Sequence, residues 1–359
     1  MLTTLILELT NFCNLNCIMC SLPRQKLQRG FMRHDLLEKI LSDLRKEKLK
    51  FNLILPFWSG ESSLHPQFRE LLGLIFEANK DFSIADGLAM DTNLNSWDRS
   101  LIDFVLKSRQ FVVLHFSLDA VREETYRKIR VGGDFRTAQG NALDFLKRKA
   151  ELGLAHPNLV FQFIVLDENR AEAREFRDFW ATELKKNSLP MQVNYFYDQP
   201  GPIELNTIFI RRCDAPCGKT KLQLKYEELH RSAVEEVLGS TFRRKDRLLL
   251  TNEYRPDKAG KNVLSGKRER EICAGPFTHL SIKYDGRASL CCQDTDTQLA
   301  IGNAADQSIR ELWFGERTRN LRLAHLEGKL PPRCRDCFNQ VYPLIKPGEL
   351  VTIKDVFGL

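Results

Sequence analysis

Up to about residue 197, short and nearly continuous apolar runs alternate with longer stretches whose apolar residues recur every three or four positions. The runs at 5–9, 51–58, 82–90, 111–118, 160–166 and 191–196 are rich in β-branched and aromatic residues, as strands buried on both faces are. After the first run, Leu36, Leu37, Ile40, Leu41 and Leu44 form one stripe behind Asp35, which predicts an amphipathic helix with Asp35 as its N-cap. Pro66 opens a second helix with Phe68, Leu71, Leu72 and Ile75 on one side. Strand and helix alternating in this way predict an α/β fold of six β/α units on a parallel, right-handed wound sheet. In such sheets chemistry collects where strands end and loops begin.

The texture then changes. Residues 198–271 have weaker periodicity, open on Pro200, Gly201 and Pro202, and close on a basic run. They predict a connector with one or two helices, one of them over 227–238. Residues 279–292 alternate on both sides of Asp285-Gly286, a strong hairpin signal. A helix from Ser308 and the pair Cys334 and Cys337 complete a small C-terminal module. The predicted division is therefore 1–197, 198–271 and 272–359.

Hydrophobic residues make up 43% of the chain and charged residues 28%, a balance that supplies a core and excludes disorder over most of the length. No apolar run approaches the ~20 residues needed to cross a bilayer. The apolar N-terminus lacks a basic leader and a small-residue cleavage site, so it does not read as a signal peptide. A cytoplasmic location is expected. The net charge of +7 is too mild to mark a nucleic-acid binder, and no membrane partner is expected. Ten basic and four acidic residues between Thr241 and Arg270 carry +6 of that charge.

Cysteine changes the picture most. Of the ten, Cys13, Cys17 and Cys20 stand near the start and Cys273, Cys291, Cys292, Cys334 and Cys337 near the end, with Cys213 and Cys217 between. In a reducing compartment, close-set thiols more often bind metal or do redox chemistry than form disulfides. The first triplet follows the first predicted strand directly. A structural zinc site would want a fourth ligand, and the nearest histidine, His34, lies outside the loop. Three thiolates on one loop suit instead an iron-sulfur cube with one iron open to a small molecule.

At these residues the sequence resembles the radical S-adenosylmethionine (radical SAM) enzymes, whose hallmark is this three-then-two spacing after the first strand of a partial (β/α)6, TIM-like barrel. The resemblance implies a 4Fe-4S cluster on Cys13, Cys17 and Cys20 with S-adenosylmethionine on its open iron. Ser59-Gly60-Glu61 ends the second strand where the family has a Gly-Gly-Glu-like turn for the methionine amino group; Ser59 stands where glycine is commoner. Asn93, after Thr92, ends the third strand, and Ser117 and Asp119 end the fourth, where the family contacts the ribose and carboxylate. Asn169 and Glu172 fall on an Asn-x-x-Glu-like feature after the fifth. Taken singly, such polar residues at strand ends are as often caps or turns.

Cys273, then Gly286 with Cys291 five positions on, Ile301-Gly-Asn303, Glu311-Leu-Trp313 and the late Cys334 and Cys337 look like the auxiliary-cluster extension called SPASM, or its shortened form Twitch. With no cysteine after Cys337, the resemblance implies one auxiliary 4Fe-4S cluster on Cys273, Cys291, Cys334 and Cys337. Cys292 competes for the Cys291 place, because adjacent strand residues point to opposite sides. A four-thiolate zinc ribbon is the alternative. Cys213 and Cys217 are candidate hydrogen-atom donors or simply two ordinary thiols.

The implied activity is reductive cleavage of S-adenosylmethionine to a 5'-deoxyadenosyl radical that abstracts hydrogen from a substrate C–H bond, fed by a flavodoxin- or ferredoxin-type electron donor. Only twelve residues precede Cys13, which leaves no room there for a leader-binding domain. A small molecule is therefore expected: a sugar, aminocyclitol or other natural-product intermediate, undergoing dehydrogenation or epimerisation. The basic stretch would attract a phosphorylated or nucleotide-linked substrate, or is a solvated surface. Maturation of a ribosomal peptide, and a non-catalytic metal-binding scaffold, are the alternatives. Arg130, Tyr195, Tyr197 and the histidines all qualify as a general base.

Overall fold

The computed structural model describes residues 3–195, 203–214, 220–239, 254–256, 262–264, 272–335, 337 and 344–345. Its centre is a ten-stranded sheet. The apolar runs supply β1 (Thr4–Leu7), β2 (Phe51–Leu55), β3 (Ala85–Thr92), β4 (Phe111–Ser117) and β5 (Asn158–Val165), laid side by side in chain order and all parallel. Between them run α1 (His34–Lys46), α2 (Phe68–Phe82), α3 (Arg99–Ser108), α4 (Glu123–Ile129) and α5 (Phe135–Glu151), and α6 (Ala173–Lys186) follows β5. Strand alternation divides the residues between two faces. Leu5, Leu7 and Leu9, or Met90, or Leu114 and Phe116, join the helices in one apolar core, while their neighbours face the concave interior.

The α1 stripe is buried as expected, with Leu37, Ile40, Leu41 and Leu44 inside. Its N-cap, however, is Arg33, and Asp35 sits in the first turn, where its charge still favours the helix N-terminus. The third strand starts at Ala85 because Phe82 ends α2 and Ser83 turns the chain at φ +50°.

The larger departure follows α6. β6 (Met191–Asn194) is the edge strand, and the slot beside β5 is filled by β7 (Asn206–Arg212), parallel to both neighbours. Thus the stretch expected to be a helical connector inserts a strand. Its apolar core, Ile208 to Ile210, is short and followed by Arg211 and Arg212, so its strand signal is weak. It is held from below by Asn206, which accepts from the Lys149 ammonium at 2.9 Å and the Leu159 N–H at 3.0 Å. α7 (Thr220–Leu238) follows, longer than expected at its N-terminal end.

The C-terminal hairpin forms as predicted, with β8 (His279–Ile282) and β9 (Arg287–Ser289) around Gly286 at φ +85°. Its first strand pairs in parallel with β1, Leu7 opposite Ile282, so the module continues the barrel sheet. A capping box of Ser308 and Glu311 starts the helix Ile309–Phe314. No helix among the described residues is long and apolar enough to cross a membrane.

Candidate iron-sulfur and nucleotide site

The thiol triplet lies on the loop that leaves β1, and buried polar residues hold the base of that loop. Thr10 Oγ1 donates to the Gly30 carbonyl at 2.7 Å, Asn11 Nδ2 to the Gln28 carbonyl at 2.8 Å, and the Gly30 N–H returns to Asn11 Oδ1 at 2.9 Å. Farther along, the Asn16 and Ile18 N–H groups donate to the carbonyls of Val131 and Ile129, which pins the loop to the end of α4. Each sulfur has a donor aimed at it: the Leu15 N–H on Cys13 at 3.5 Å, the Leu22 N–H on Cys20 at 3.4 Å, and Arg130 Nη1 on Cys17 at 3.5 Å. Burial pushes the Cys13 thiol up to about 11 and raises Cys17 as well, against the pull of Arg130. Protonated thiols with hydrogen-bond donors directed at sulfur suit thiolate ligands once a metal displaces the protons. A cube takes one thiolate per iron, and three thiols on one loop, each with a donor on its sulfur, supply three of them. The donor set therefore fits a cluster.

Beside this loop, Gly60 adopts φ +84°, and a Cβ there would stand 2.4 Å from the Phe12 carbonyl oxygen, so glycine is required. The Glu61 N–H donates to that oxygen at 2.8 Å. The buried Glu61 carboxylate accepts from Ser63 Oγ at 2.6 Å, Thr92 Oγ1 at 2.8 Å and the Asn93 N–H at 2.8 Å. Burial raises its pKa, and these donors pull it back. About four acceptor positions exist on a carboxylate, so capacity for one more donor remains. Asn93 Nδ2 lies 4.0 Å from Cys13 Sγ and donates to Asn14 Oδ1 at 2.9 Å. Ser59 Oγ is buried with no partner.

The ends of β4 and β5 differ. Ser117 is half-buried, but Asp119 is sealed, at φ +61°. Its carboxylate accepts from Arg130 Nε at 2.7 Å and the Ile164 N–H at 2.7 Å. Asn169 donates to the carbonyls of Asp119 and Ile164, each at 2.8 Å, and accepts from the Leu166 N–H at 2.8 Å. Glu172 accepts from the Val121 N–H at 3.1 Å and from Thr125 Oγ1. These three residues brace the strand ends against each other, and through Arg130 they reach Cys17. Burial opposes the Arg130 charge, but the adjacent Asp119 carboxylate more than offsets it, so the pKa is raised. Arg130, one of the general bases considered from sequence, is thus a permanently charged link and has no base to offer.

Cys213, at the end of β7, is buried with Ile129 and Leu166 and packs near Ile18 and Met19 of the triplet loop; burial raises its pKa to about 12. Cys217 lies outside the described residues, as does most of the basic stretch.

Around the hairpin, Cys273 lies within electrostatic reach of Cys292 and Cys334, and Cys291 within reach of Cys292 and Cys273. Burial raises both thiols, Cys273 to about 11. The order that sequence did not reveal comes from Arg333. It donates to the Gln293 carbonyl at 2.7 Å and pairs with Asp296 at 3.1 Å, which carries neighbouring Cys334 to the loop after Cys292. Asp294 closes that loop by accepting from Ser289 Oγ at 2.9 Å and from the Gln298 and Leu299 N–H groups at 2.9 and 3.0 Å. The Cys337 N–H donates to the Cys334 carbonyl at 3.4 Å.

The concave interior between these loops is polar. Asp91 and His115 are register partners on β3 and β4, partly buried and pointing away from the helices. Burial keeps His115 neutral by lowering its pKa, with Asp91 pulling the other way. Arg211 Nη1 donates to Gln162 Oε1 at 3.1 Å on the next strands. Just past β1, Glu8, 0% exposed, has two carboxylate oxygens without a partner. Continuing the β1–β8 register places buried Lys283 beside it. Ordinary barrel interiors are packed with branched apolar residues; a few convergent polar groups are what fixes the orientation of a bound ligand.

Comparison with known proteins agrees with this geometry. The profile of the Radical SAM superfamily matches residues 7–179, and that of SPASM, an iron-sulfur cluster-binding domain, matches residues 273–338. The chain is 24% identical over 347 residues to the tungsten-containing aldehyde ferredoxin oxidoreductase cofactor-modifying protein of Pyrococcus furiosus, covering 93% of this chain and 86% of that one. Among solved structures, anSMEcpe with bound AdoMet superposes with a TM-score of 0.59 at 18% identity, over 94% of this chain and 87% of the other. BtrN in complex with AdoMet and 2-DOIA gives a TM-score of 0.50 at 13% identity over 94% of each chain. Streptococcus suis SuiB bound to the precursor peptide SuiA gives 0.53 at 14%, over 95% of this chain and 70% of that one. At these identities the structural likeness concerns the fold. Residues 7–179 of this enzyme, with the thiol triplet on the loop after β1, thus form a radical SAM domain, and residues 273–338, with the second thiol set, form a SPASM iron-sulfur domain.

Proposed function

We propose that this enzyme takes hydrogen from a C–H bond of a small polar molecule, such as a sugar, an aminocyclitol or another natural-product intermediate, in a dehydrogenation or epimerisation. The polar interior supports this reading: Glu8, Asp91, His115, Gln162, Arg211 and Lys283 offer both charges and a neutral imidazole, which suits a ligand bearing several hydroxyl or amino groups. When bound, the cluster and S-adenosylmethionine supply a 5'-deoxyadenosyl radical reactive enough for an unactivated C–H bond. Cys13, Cys17 and Cys20 would hold that cluster. Glu61, with one acceptor position left, Ser59 with its unpartnered hydroxyl, and the Gly60 turn would take the methionine end. Asn93 and Ser117 would meet the nucleoside, while Asp119 and Asn169 brace the wall. Cys273, Cys291, Cys334 and Cys337 would hold one auxiliary cluster, and buried Cys213 remains a candidate hydrogen-atom donor because its raised pKa keeps the S–H intact.

The description of the Pyrococcus relative as cofactor-modifying also favours a small molecule over a peptide. The basic stretch, with its excess of +6, supports a phosphorylated or nucleotide-linked form of it. A flavodoxin- or ferredoxin-type donor would supply electrons, in a cytoplasmic setting.

Anaerobic reconstitution tests the cofactor assignment: about eight irons per chain, as two four-iron clusters require, with S-adenosylmethionine cleavage abolished in Cys20→Ala. Bound zinc without cleavage overturns it. For the substrate, 5'-deoxyadenosine formation is screened with amino sugars, sugar nucleotides and short peptides. Stimulation by peptides alone would replace the small-molecule reading with peptide maturation.

A further inference from the structure

Two short routes connect the triplet loop to the loop of the second thiol set. One starts at Phe12, next to Cys13, whose carbonyl takes the Glu61 N–H at 2.8 Å and crowds Gly60. Two residues before Gly60, the Trp58 indole donates its Nε1–H to the Cys292 carbonyl at 2.7 Å, one residue from Cys291. The other route starts at Gln25, five residues past Cys20, whose amide donates to Thr295 Oγ1 at 2.9 Å. Lys283 Nζ donates to the Thr295 carbonyl and lies 5.3 Å from the centre of the Trp58 ring. An aromatic ring therefore spans the seam between the two sets of thiols, fixed at one end by the chain and at the other by a hydrogen bond.

We propose that the Trp58 indole is the bridge through which an electron passes between the cluster of the first loop and the auxiliary cluster of the second. The inference rests on the cluster assignment above. With both clusters bound, one would supply the electron and the other accept it, and no bond or proton would change. The ring itself is not oxidised: a cation at its face opposes positive charge on it, and its N–H stays committed to the Cys292 carbonyl. Trp58 thus bridges by offering a π system where an aliphatic side chain would offer none.

Trp58→Phe keeps a ring and removes the N–H, and Trp58→Leu removes both. Wild type and variants are reconstituted without oxygen, checked for iron and for the electron paramagnetic resonance signals of both reduced clusters, then given one electron by photoreduction and freeze-quenched to follow its redistribution. Redistribution should slow several-fold in Trp58→Leu and less in Trp58→Phe, with both signals unchanged. A wild-type rate in Trp58→Leu that carries both clusters overturns the proposal. So does loss of the second cluster from both variants, which would make Trp58 a prop for its loop. Wild-type protein that takes up no iron, or shows a single cluster, would instead overturn the cluster assignment.

Discussion

The two thiol-bearing regions are built by opposite strategies. Cys13, Cys17 and Cys20 share one loop, and that loop is embedded: Thr10 and Asn11 anchor its base, α4 holds its far side, and Arg130 links Cys17 to the buried Asp119. The second set is drawn from positions more than sixty residues apart, Cys273 to Cys337, and is assembled by a hairpin edge and the partly exposed Arg333 clamp. A local site can be read from spacing, and its cost is that the surrounding barrel must be rigid. A dispersed site depends on contacts that each contribute little.

The contrast can be broken by removing the links on each side. The largest effect is expected for Arg130→Gln, which leaves Asp119 buried without its cation; breaking a buried pair in this way costs about 3–5 kcal/mol. Chemical denaturation should show that loss together with reduced iron on the first loop. Stability unchanged in Arg130→Gln would mean the first region is not braced as described.

Glu8, at the seam, comes next. Burial raises its pKa from 4.5 to about 7, with Lys283, Arg287 and Arg29 opposing and Asp285 adding to the rise. The folded state therefore binds a proton that the unfolded state has released, and stability falls as pH rises from 4.5 towards 7. At about 1.4 kcal/mol per pKa unit, Glu8→Gln should be more stable than wild type at pH 8 by on the order of 3 kcal/mol, and the two should converge near pH 5. Parallel melting curves at the two pH values would refute the burial of an unpartnered carboxylate.

Gly60→Ala forces a Cβ to 2.4 Å from the Phe12 carbonyl at a positive φ, a strain of about 1–3 kcal/mol. It should deplete iron from the first loop while the second retains its own, as two separable paramagnetic signals would reveal. Smallest is Arg333→Ala. Its pairs are partly exposed, so about 1 kcal/mol or less is expected in stability, with weaker retention of iron by the second set only. Equal iron loss from both sites would erase the distinction between the regions.

Legibility followed the same division. The first five strands and the α1 and α2 faces were readable because each buries a long, regular apolar pattern, and the triplet because its ligands are contiguous. β7 was not, because Ile208 to Ile210 is too short a run to separate from a loop, and Arg211 is stabilised by Gln162 on a neighbouring strand. Asp119 and Asn169 looked like ligands for a nucleoside; their carboxylate and amide are taken up by Arg130 and by backbone groups, contacts that no local pattern encodes. Arg333 and Trp58 carried no motif at all.

Spacing and periodicity alone determined the parallel α/β core, the three-thiol loop behind the first strand and the hairpin near the C-terminus, because those depend on neighbours within a few residues. The tertiary structure decided that β7 lies between β5 and β6, that the hairpin extends the sheet at β1, and that Asp91 meets His115 and Gln162 meets Arg211 across neighbouring strands. Each of these is a pairing of segments distant in the chain, and the hydrogen bonds that select it exist only once both partners are in place.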